Sequence, residues 1–420
     1  MGSQTEPLRC RGMRDLLPQE MAVYRRVEED FARVCSTWDY SEIRTPAIEF
    51  LHLFTSAGTL SPQMLGRVYS FLDWDGWSGE RVVLRPDATI PTARLYVENI
   101  GGRRPARFFY TQNVFRFSAG DESREDWQCG VELIGNPSPT GDIELILLGK
   151  AVLESLGLGE IEVGLSHAGL VRVVLAETGL EPEEQARRYD RLLDGDLSVL
   201  QEIEARLPEL RAPLHLLFET QGGVGEYLTD LRRAFATGIP AITGALDELA
   251  TVSEALGRLD CPYGIQTTIV RNFEYYTGPV FEFRVAGCRV GGGGRYDGLI
   301  ALVGGESVPA SGFALSLAEI ASHLKAAPAA STAQPRWLIE ARGDDATTLA
   351  EAFLVAHRLR SLGNVVAIGL QGMTARPGDR LLTIERREGA SRYGLRNVGS
   401  EATDDFTSLD EFLRAAEAGP

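Results

Sequence analysis

Two strand-like runs, residues 108–116 and 127–134, stand on either side of the short polar loop 118–124. Such a loop has no room for the crossover helix that a parallel pair needs, so these runs are expected to lie antiparallel. Residues 68–73 and 81–85 repeat the arrangement around Trp74-Asp-Gly-Trp-Ser-Gly-Glu80, a loop with hairpin character at Asp75-Gly76. Strands joined by hairpins predict a mostly antiparallel sheet, and the helical patterns beside them make the fold class α+β.

The rest of the chain can be parsed around that sheet. Pro18 opens a helix with apolar residues at Met21, Val23, Val27, Phe31 and Val34, with Asp15 as its expected cap. Residues 40–46 read as a short strand that Pro46 ends or confines to an edge. A helix follows at 143–155 and a strand at 160–165. Residues 168–260 are then almost wholly helical in pattern, an insertion punctuated by Pro182, Pro208, Pro213 and Pro240. Strand patterns return at 265–270, 280–285 and 288–290, and 312–324 passes from strand to helix. The core therefore extends over 1–325. The segment 326–335, rich in alanine and proline, reads as a linker. Beyond it, 336–420 is a small C-terminal α/β domain with strands expected at 337–340, 365–368, 381–384 and 393–398, and helices at 346–361 and from about Ser408.

Composition excludes several classes of function. A chain of 420 residues, 44% hydrophobic and 24% charged, is long enough for two or three domains with proper cores. Nowhere do about 18 apolar residues run together as a membrane span requires, and the N-terminus lacks signal-peptide character; a cytoplasmic protein is expected. Five scattered cysteines without a C-x-x-C pair predict reduced packing thiols. Five histidines at unrelated spacings predict no metal site, and no cofactor is expected. The formal net charge of −17 repels polyphosphates, so tRNA is not an expected partner unless a local basic patch provides a site.

Binding an amino acid requires an acceptor for its ammonium, a donor for its carboxylate and groups shaped to its side chain. Leu84-Arg-Pro-Asp87-Ala88-Thr89 offers an acid beside a hydroxyl. Gln128 and Glu132 lie four apart on a strand and so share a face. Arg116 and Arg271 supply guanidinium forks, and Tyr275 and Tyr276 an aromatic wall with phenol donors. Taken alone, each has a plainer role. Asp87 would bond its own backbone in a turn, Gln128 and Glu132 would be a solvated strand face, one of the tyrosines would pack a core, and Gly291-Gly-Gly-Gly294 would be a flexible hairpin.

The combination and order of these segments, with a leading Gly12-Met-Arg-Asp-Leu-Leu-Pro18 and Tyr40-Ser-Glu-Ile-Arg-Thr-Pro46, resemble the class II histidyl-tRNA synthetase family over about residues 10–325. The resemblance implies a class II aminoacyl-tRNA synthetase-like core, a mostly antiparallel sheet flanked by helices, followed by an anticodon-domain-like C-terminal domain. It also implies that Asp87, Thr89 and Gln128 hold the α-amino group of histidine, that Arg271 faces its carboxylate or the reacting centre, and that Glu132 with Tyr275 or Tyr276 reads the imidazole.

The departures from the family pattern set the functional expectation. Ser311-Gly-Phe-Ala-Leu-Ser-Leu-Ala-Glu319-Ile contains no basic residue where a synthetase carries its nucleotide-clamping arginine, and the matching register puts Glu319 there. Ser118 stands where the second motif has a glutamate, and the loop to Arg124 is about two residues short, although Arg116, the usual α-phosphate partner, remains. This pattern resembles the synthetase-like regulatory subunits of ATP phosphoribosyltransferase. That resemblance implies a non-catalytic subunit partnered with the short-form catalytic subunit in histidine biosynthesis, with L-histidine as feedback effector and a self-dimer within the hetero-oligomer. The alternative is an active histidyl-tRNA synthetase with a divergent third motif.

Overall fold

The computed structural model describes residues 8–56, 65–74, 79–102, 104–120, 122–136, 139–193, 196–219, 224–236, 238–266, 276–324, 336–343, 345–369, 375–376, 378–387, 389–400 and 402–417. The chain divides into two compact units, Met1–Ala327 and Pro328–Pro420. No described helix is long and apolar enough to cross a membrane.

Unit 1 begins with the helix Pro18–Thr37, which buries Tyr24, Val27, Phe31, Val34 and Cys35 along one stripe. Its N-cap corrects the sequence expectation. Leu17 occupies the cap and its N–H donates to Glu20 at 3.1 Å, whereas Asp15 pairs with Arg9 at 3.2 Å. Proline at the first helical position leaves one fewer amide to satisfy, so a side-chain cap two residues upstream is not needed.

The strands of unit 1 are β1 (Ser41–Glu42), β2 (Ile48–Phe50), β3 (Ser70–Trp74), β4 (Gly79–Leu84), β5 (Ala106–Phe115), β6 (Glu125–Ile134), β7 (Ile161–His167), β8 (Tyr263–Ile265), β9 (Pro279–Val285), β10 (Cys288–Arg295) and β11 (Ala310–Ser316). Among the described residues, eight of them form one sheet in the order β1-β5-β6-β11-β10-β9-β7-β8. Its interior pairs are antiparallel, and the outermost pairs, β1·β5 and β7·β8, are parallel. β2, β4 and β3 make a separate antiparallel sheet. The tip expected at Asp75-Gly76 lies outside the described residues. Between β7 and β8 the described elements are all helices, from Ala168–Glu177 through Ile242–Arg258.

The glycine run does not take the plainer role of a hairpin: it lies within β10, paired on both sides. Gly291 and Gly293 face the apolar side of the sheet, opposite Leu315 and Phe313 of β11 and Phe283 and Phe281 of β9. Because β10 contributes no side chain there, the rings of its two neighbours meet across it, Phe283 to Phe313 at 5.8 Å and Phe281 to Phe313 at 6.4 Å, edge to face. Such pairs contribute about 0.5–1.5 kcal/mol each beyond area burial. A Cβ at position 293 would stand 2.0 Å from the Gly312 carbonyl oxygen, so only glycine permits the approach.

Unit 2 is a sheet of β12 (Trp337–Arg342), β13 (Val366–Ile368), β14 (Arg380–Arg387), β15 (Ala390–Asn397) and β16 (Thr403–Phe406), ordered β13-β12-β14-β15-β16. Trp337, Ile339, Leu382, Ile384 and Tyr393 form a core with the helices Ala346–Ser361 and Leu409–Glu417. Asp345 caps the first helix, accepting from the Thr347 and Thr348 amides at 3.1 and 3.0 Å. β16 has no counterpart in the sequence reading, because backbone pairing to β15 holds this exposed, acidic strand in place of any apolar pattern of its own.

Candidate functional site

Strand alternation sorts the main sheet into an apolar face and a ligand-sized one. The second face carries Gln128, Gly130 and Glu132 of β6. Ser316, Ala314 and Gly312 of β11 stand opposite them, and Gly292 and Gly294 of β10 stand beside those. This strip of small residues floors a cavity of about 120 Å³ walled by Asp87, Thr89, Arg116, Asp126, Gln128, Tyr276, Arg289, Tyr296 and Glu319. Through Asp126, Arg289, Ser316 and Glu319 it adjoins a second cavity of about 430 Å³ lined also by Arg14, Tyr24 and Trp127.

Asp87 is positioned by its neighbour. Arg85 is buried and donates to the Thr45, Pro46 and Asn113 carbonyls at 2.8, 3.0 and 2.7 Å, to Asn113 Oδ1 at 2.9 Å and to Gln112. It ties the turn after β4 to β5 and to the chain after β1. Desolvation lowers the Arg85 pKa, and these carbonyl and amide acceptors compensate for the buried charge. One Asp87 oxygen then accepts the Ile90 amide at 2.9 Å at the start of the helix Thr89–Asn99, so the plainer role of this acid coexists with its place on the pocket wall.

The deepest feature is Glu132, only 1% exposed. Tyr110 donates to its Oε1 at 3.0 Å and Tyr296 donates to its Oε2. Burial pushes the carboxyl up to about 8; hydrogen bonds from Tyr296, Thr89 and Tyr110 oppose this and the Asp87 charge adds to it. The Tyr110 ring reaches Glu132 because its cross-strand partner is Gly130, where a Cβ would lie 2.1 Å from the Tyr110 ring. Gly312 plays the same part for the acid itself, since a Cβ there would meet Glu132 Oε2 at 2.0 Å.

The sequence-predicted residues are distributed as follows. Asp87, Thr89, Arg116, Gln128 and Tyr276 line the cavity. Glu132 lies beneath it, engaged by Tyr110 and Tyr296. Ala88 does not line it but packs with Tyr110 and Val114. Arg271 and Tyr275 lie outside the described residues. Gln128 donates to Asp126 at 3.1 Å, Ser316 donates to the same acid at 2.9 Å, and Arg116 Nε donates to the Pro86 carbonyl at 2.8 Å. Glu319 lies in the first turn of the helix Leu317–His323, which carries no arginine or lysine. Sequence reasoning missed Tyr110, Tyr296, Asp126 and Arg289. Gly130, on the same face as Gln128 and Glu132, was the available signal that a large side chain from the next strand lies across β6.

A neighbouring cluster anchors the end of β10. Arg295 pairs with buried Asp142 at 2.7 Å and with Glu248 of the helix Ile242–Arg258 at 2.8 Å, and His167 lies 3.4 Å from Glu248. Burial lowers the His167 pKa, against the pull of Glu248. No group of three or more His, Cys, Asp or Glu suited to a metal occurs among the described residues.

Comparison with known proteins places this geometry in a family context. The histidyl-tRNA synthetase family pattern matches residues 12–320. An ATP phosphoribosyltransferase regulatory subunit of Dehalococcoides mccartyi (strain BAV1) is 45% identical over 356 residues, 84% of this chain and 86% of that one. A histidine–tRNA ligase of Methanosarcina acetivorans is 35% identical over 77% of each chain. Among solved structures, an ATP phosphoribosyltransferase regulatory subunit/histidyl-tRNA synthetase from Bacillus halodurans C superimposes with a TM-score of 0.73 at 26% identity, covering 89% of this chain and 96% of the other.

Proposed function

The chain belongs to the histidyl-tRNA synthetase family, and from that premise we propose that it is the non-catalytic regulatory subunit of a short-form ATP phosphoribosyltransferase, required for the first step of L-histidine biosynthesis and responsive to histidine as feedback inhibitor. The relative that is 45% identical bears that subunit's name. The observation that carries the reading is Glu319 on the pocket wall, in a helix, Leu317–His323, that offers no arginine or lysine to a nucleotide, although Arg116 and Arg289 line the same cavity. Two unit charges 4 Å apart interact by about 4 kcal/mol near a protein surface, so an acid in place of a clamping cation both repels a triphosphate and removes transition-state stabilisation.

In this reading the retained pocket is a sensor. Asp87, Thr89 and Gln128 hold the ammonium of histidine, and Glu132 with Tyr275 or Tyr276 reads the imidazole. Arg271 faces the carboxylate and Arg116 lines the same wall. Residues 1–325 form the sensing core, with 168–260 as its helical insertion, 326–335 link it onward, and 336–420 serve assembly in a hetero-oligomer that contains a self-dimer. The reading carries with it a cytoplasmic location and no tRNA partner.

Histidine must bind the inhibited assembly more tightly than the active one, and a coupling of about 1–3 kcal/mol changes activity about 5- to 150-fold. The test is to assay a short catalytic phosphoribosyltransferase alone and mixed with this chain, with and without histidine. Activity and histidine sensitivity are expected only in the mixture; a catalytic subunit equally active and equally sensitive in both refutes the reading. The second reading, an active synthetase, draws on retained Arg116 and on the ligase relative. Histidine-dependent pyrophosphate exchange by the purified chain would establish it.

A further inference from the structure

The helix Ala346–Ser361 of unit 2 is apolar on two sides. Its inner stripe, Thr348, Ala352, Val355, Ala356 and Leu359, packs on β12, β13 and β14. An ordinary surface helix would carry charge on the other side. Here Leu349, Phe353 and His357 form one exposed row at four-residue spacing, and Ala350 and Leu354 a second row beside it. Leu349 is 39% exposed, Phe353 59% and Leu354 57%. The one acid between Ala346 and His357, Glu351, accepts from the Ser391 and Tyr393 hydroxyls of β15 and so is engaged with the sheet. About three turns of helix therefore present an uncharged outer face, and contiguous exposed apolar patches mark contact sites.

Positive charge collects at the C-terminal end, where Arg358 and Arg360 are exposed. At the N-terminal end, the Asp345 carboxylate is engaged by the Thr347 and Thr348 amides and the Thr348 hydroxyl. A second copy of this helix is a poor match for that distribution. Laid parallel, it would set arginines against arginines; laid antiparallel, it would bring them to the positive end of the helix dipole, beside an acid already occupied. A two-fold interface needs a patch that complements itself, and this one does not.

We propose that this outer face is the docking surface for the catalytic partner, whose complementary site is an apolar groove ending in carboxylates. This rests on the reading of the chain as the regulatory member of a hetero-oligomer, and it gives assembly a named surface within residues 336–420. The mode is a helix laid in a groove, with its anchors four residues apart. Phe353, at the middle of the exposed rows, is the central anchor, since a few buried aromatic residues carry most of the energy of an interface. Arg358 and Arg360 fix which way the helix lies.

Mixing the full chain with a short catalytic phosphoribosyltransferase tests the surface, with association followed by biolayer interferometry. Phe353→Ala is expected to weaken association about 10- to 100-fold and Phe353→Leu to recover most of the loss. The unfolding midpoint of the chain alone should hold in both, because Phe353 lies outside the unit 2 core. In a second arm, alkylation of Leu354→Cys, read by peptide mass, should be fast in the chain alone and slowed about 10-fold or more in the mixture. Association of Phe353→Ala as tight as wild type overturns the proposal, as does a Leu354→Cys thiol that stays equally reactive in the mixture. A thiol already shielded in the chain alone also overturns it, by showing that the chain itself or a second copy covers the stripe. If the wild-type chain binds no catalytic subunit, the assembly reading fails and this surface with it; if wild type and variants bind alike, only the surface does.

Discussion

Replacing Tyr296 with phenylalanine deletes one oxygen and no ring, so its cost reads the hydroxyl's contribution at the pocket floor. Tyr296 and Glu132 are 2% and 1% exposed, and the lost hydroxyl donates directly to Glu132 Oε2. The cost depends on the protonation state of Glu132, raised from an ordinary 4.5 to about 8. Below that value the acid is neutral and the bond contributes about 1 kcal/mol; above it the acceptor is a buried carboxylate and the contribution rises to about 1.5–3 kcal/mol. Because the folded pKa is raised, the stability tied to the protonated form is fully present below 4.5 and lost as pH climbs through about 8. Removing a donor to the charged form raises the pKa further, about one unit for each ~1.4 kcal/mol of differential loss. The assay is urea unfolding of both proteins at pH 6.5 and pH 9.5, followed by tryptophan fluorescence, since Trp38, Trp74, Trp77 and Trp127 all lie in unit 1. The difference between the proteins should grow by about 0.5–2 kcal/mol across that interval. A difference independent of pH refutes the protonation argument, and one below about 0.5 kcal/mol refutes the bond.

Three further outcomes are expected. Glu132→Ala should weaken L-histidine binding by about 2–4 kcal/mol, read by calorimetry; unchanged affinity would move the sensor site elsewhere. The purified chain should show no histidine-dependent pyrophosphate exchange, and Glu319→Arg alone should not restore it, because catalytic groups act as a unit. Asp142→Asn strips the buried Arg295 guanidinium of its principal partner while Glu248 remains, so denaturant titration should show a loss of about 3 kcal/mol; a loss under 1 kcal/mol would mean that Glu248 alone suffices.

What the amino-acid order alone determined is what short-range periodicity encodes. The helix Pro18–Thr37, the β5–β6 hairpin, the helical run between β7 and β8, and the shared face of Gln128 and Glu132 all follow from spacings of two or of three to four residues along one segment. The family resemblance rested on the same segments, and the comparison with known proteins agrees with it. Tertiary structure decided whatever depends on a neighbour distant in sequence. Four glycines are a turn signal by propensity, yet here they form a central strand because rings from β9 and β11 close over them. Glu132 is buried, with its carboxyl pushed up and gripped by Tyr110 and Tyr296, because Gly130 and Gly312 clear the space on strands more than a hundred residues apart. Strict alternation along β10 would send Arg289 into the core; pairing with β9 inserts one extra residue and turns it to the pocket. Local propensity operates over a few residues, whereas the face a side chain takes in a sheet is set by the register of strand pairing, and a one-residue shift in that register reverses it.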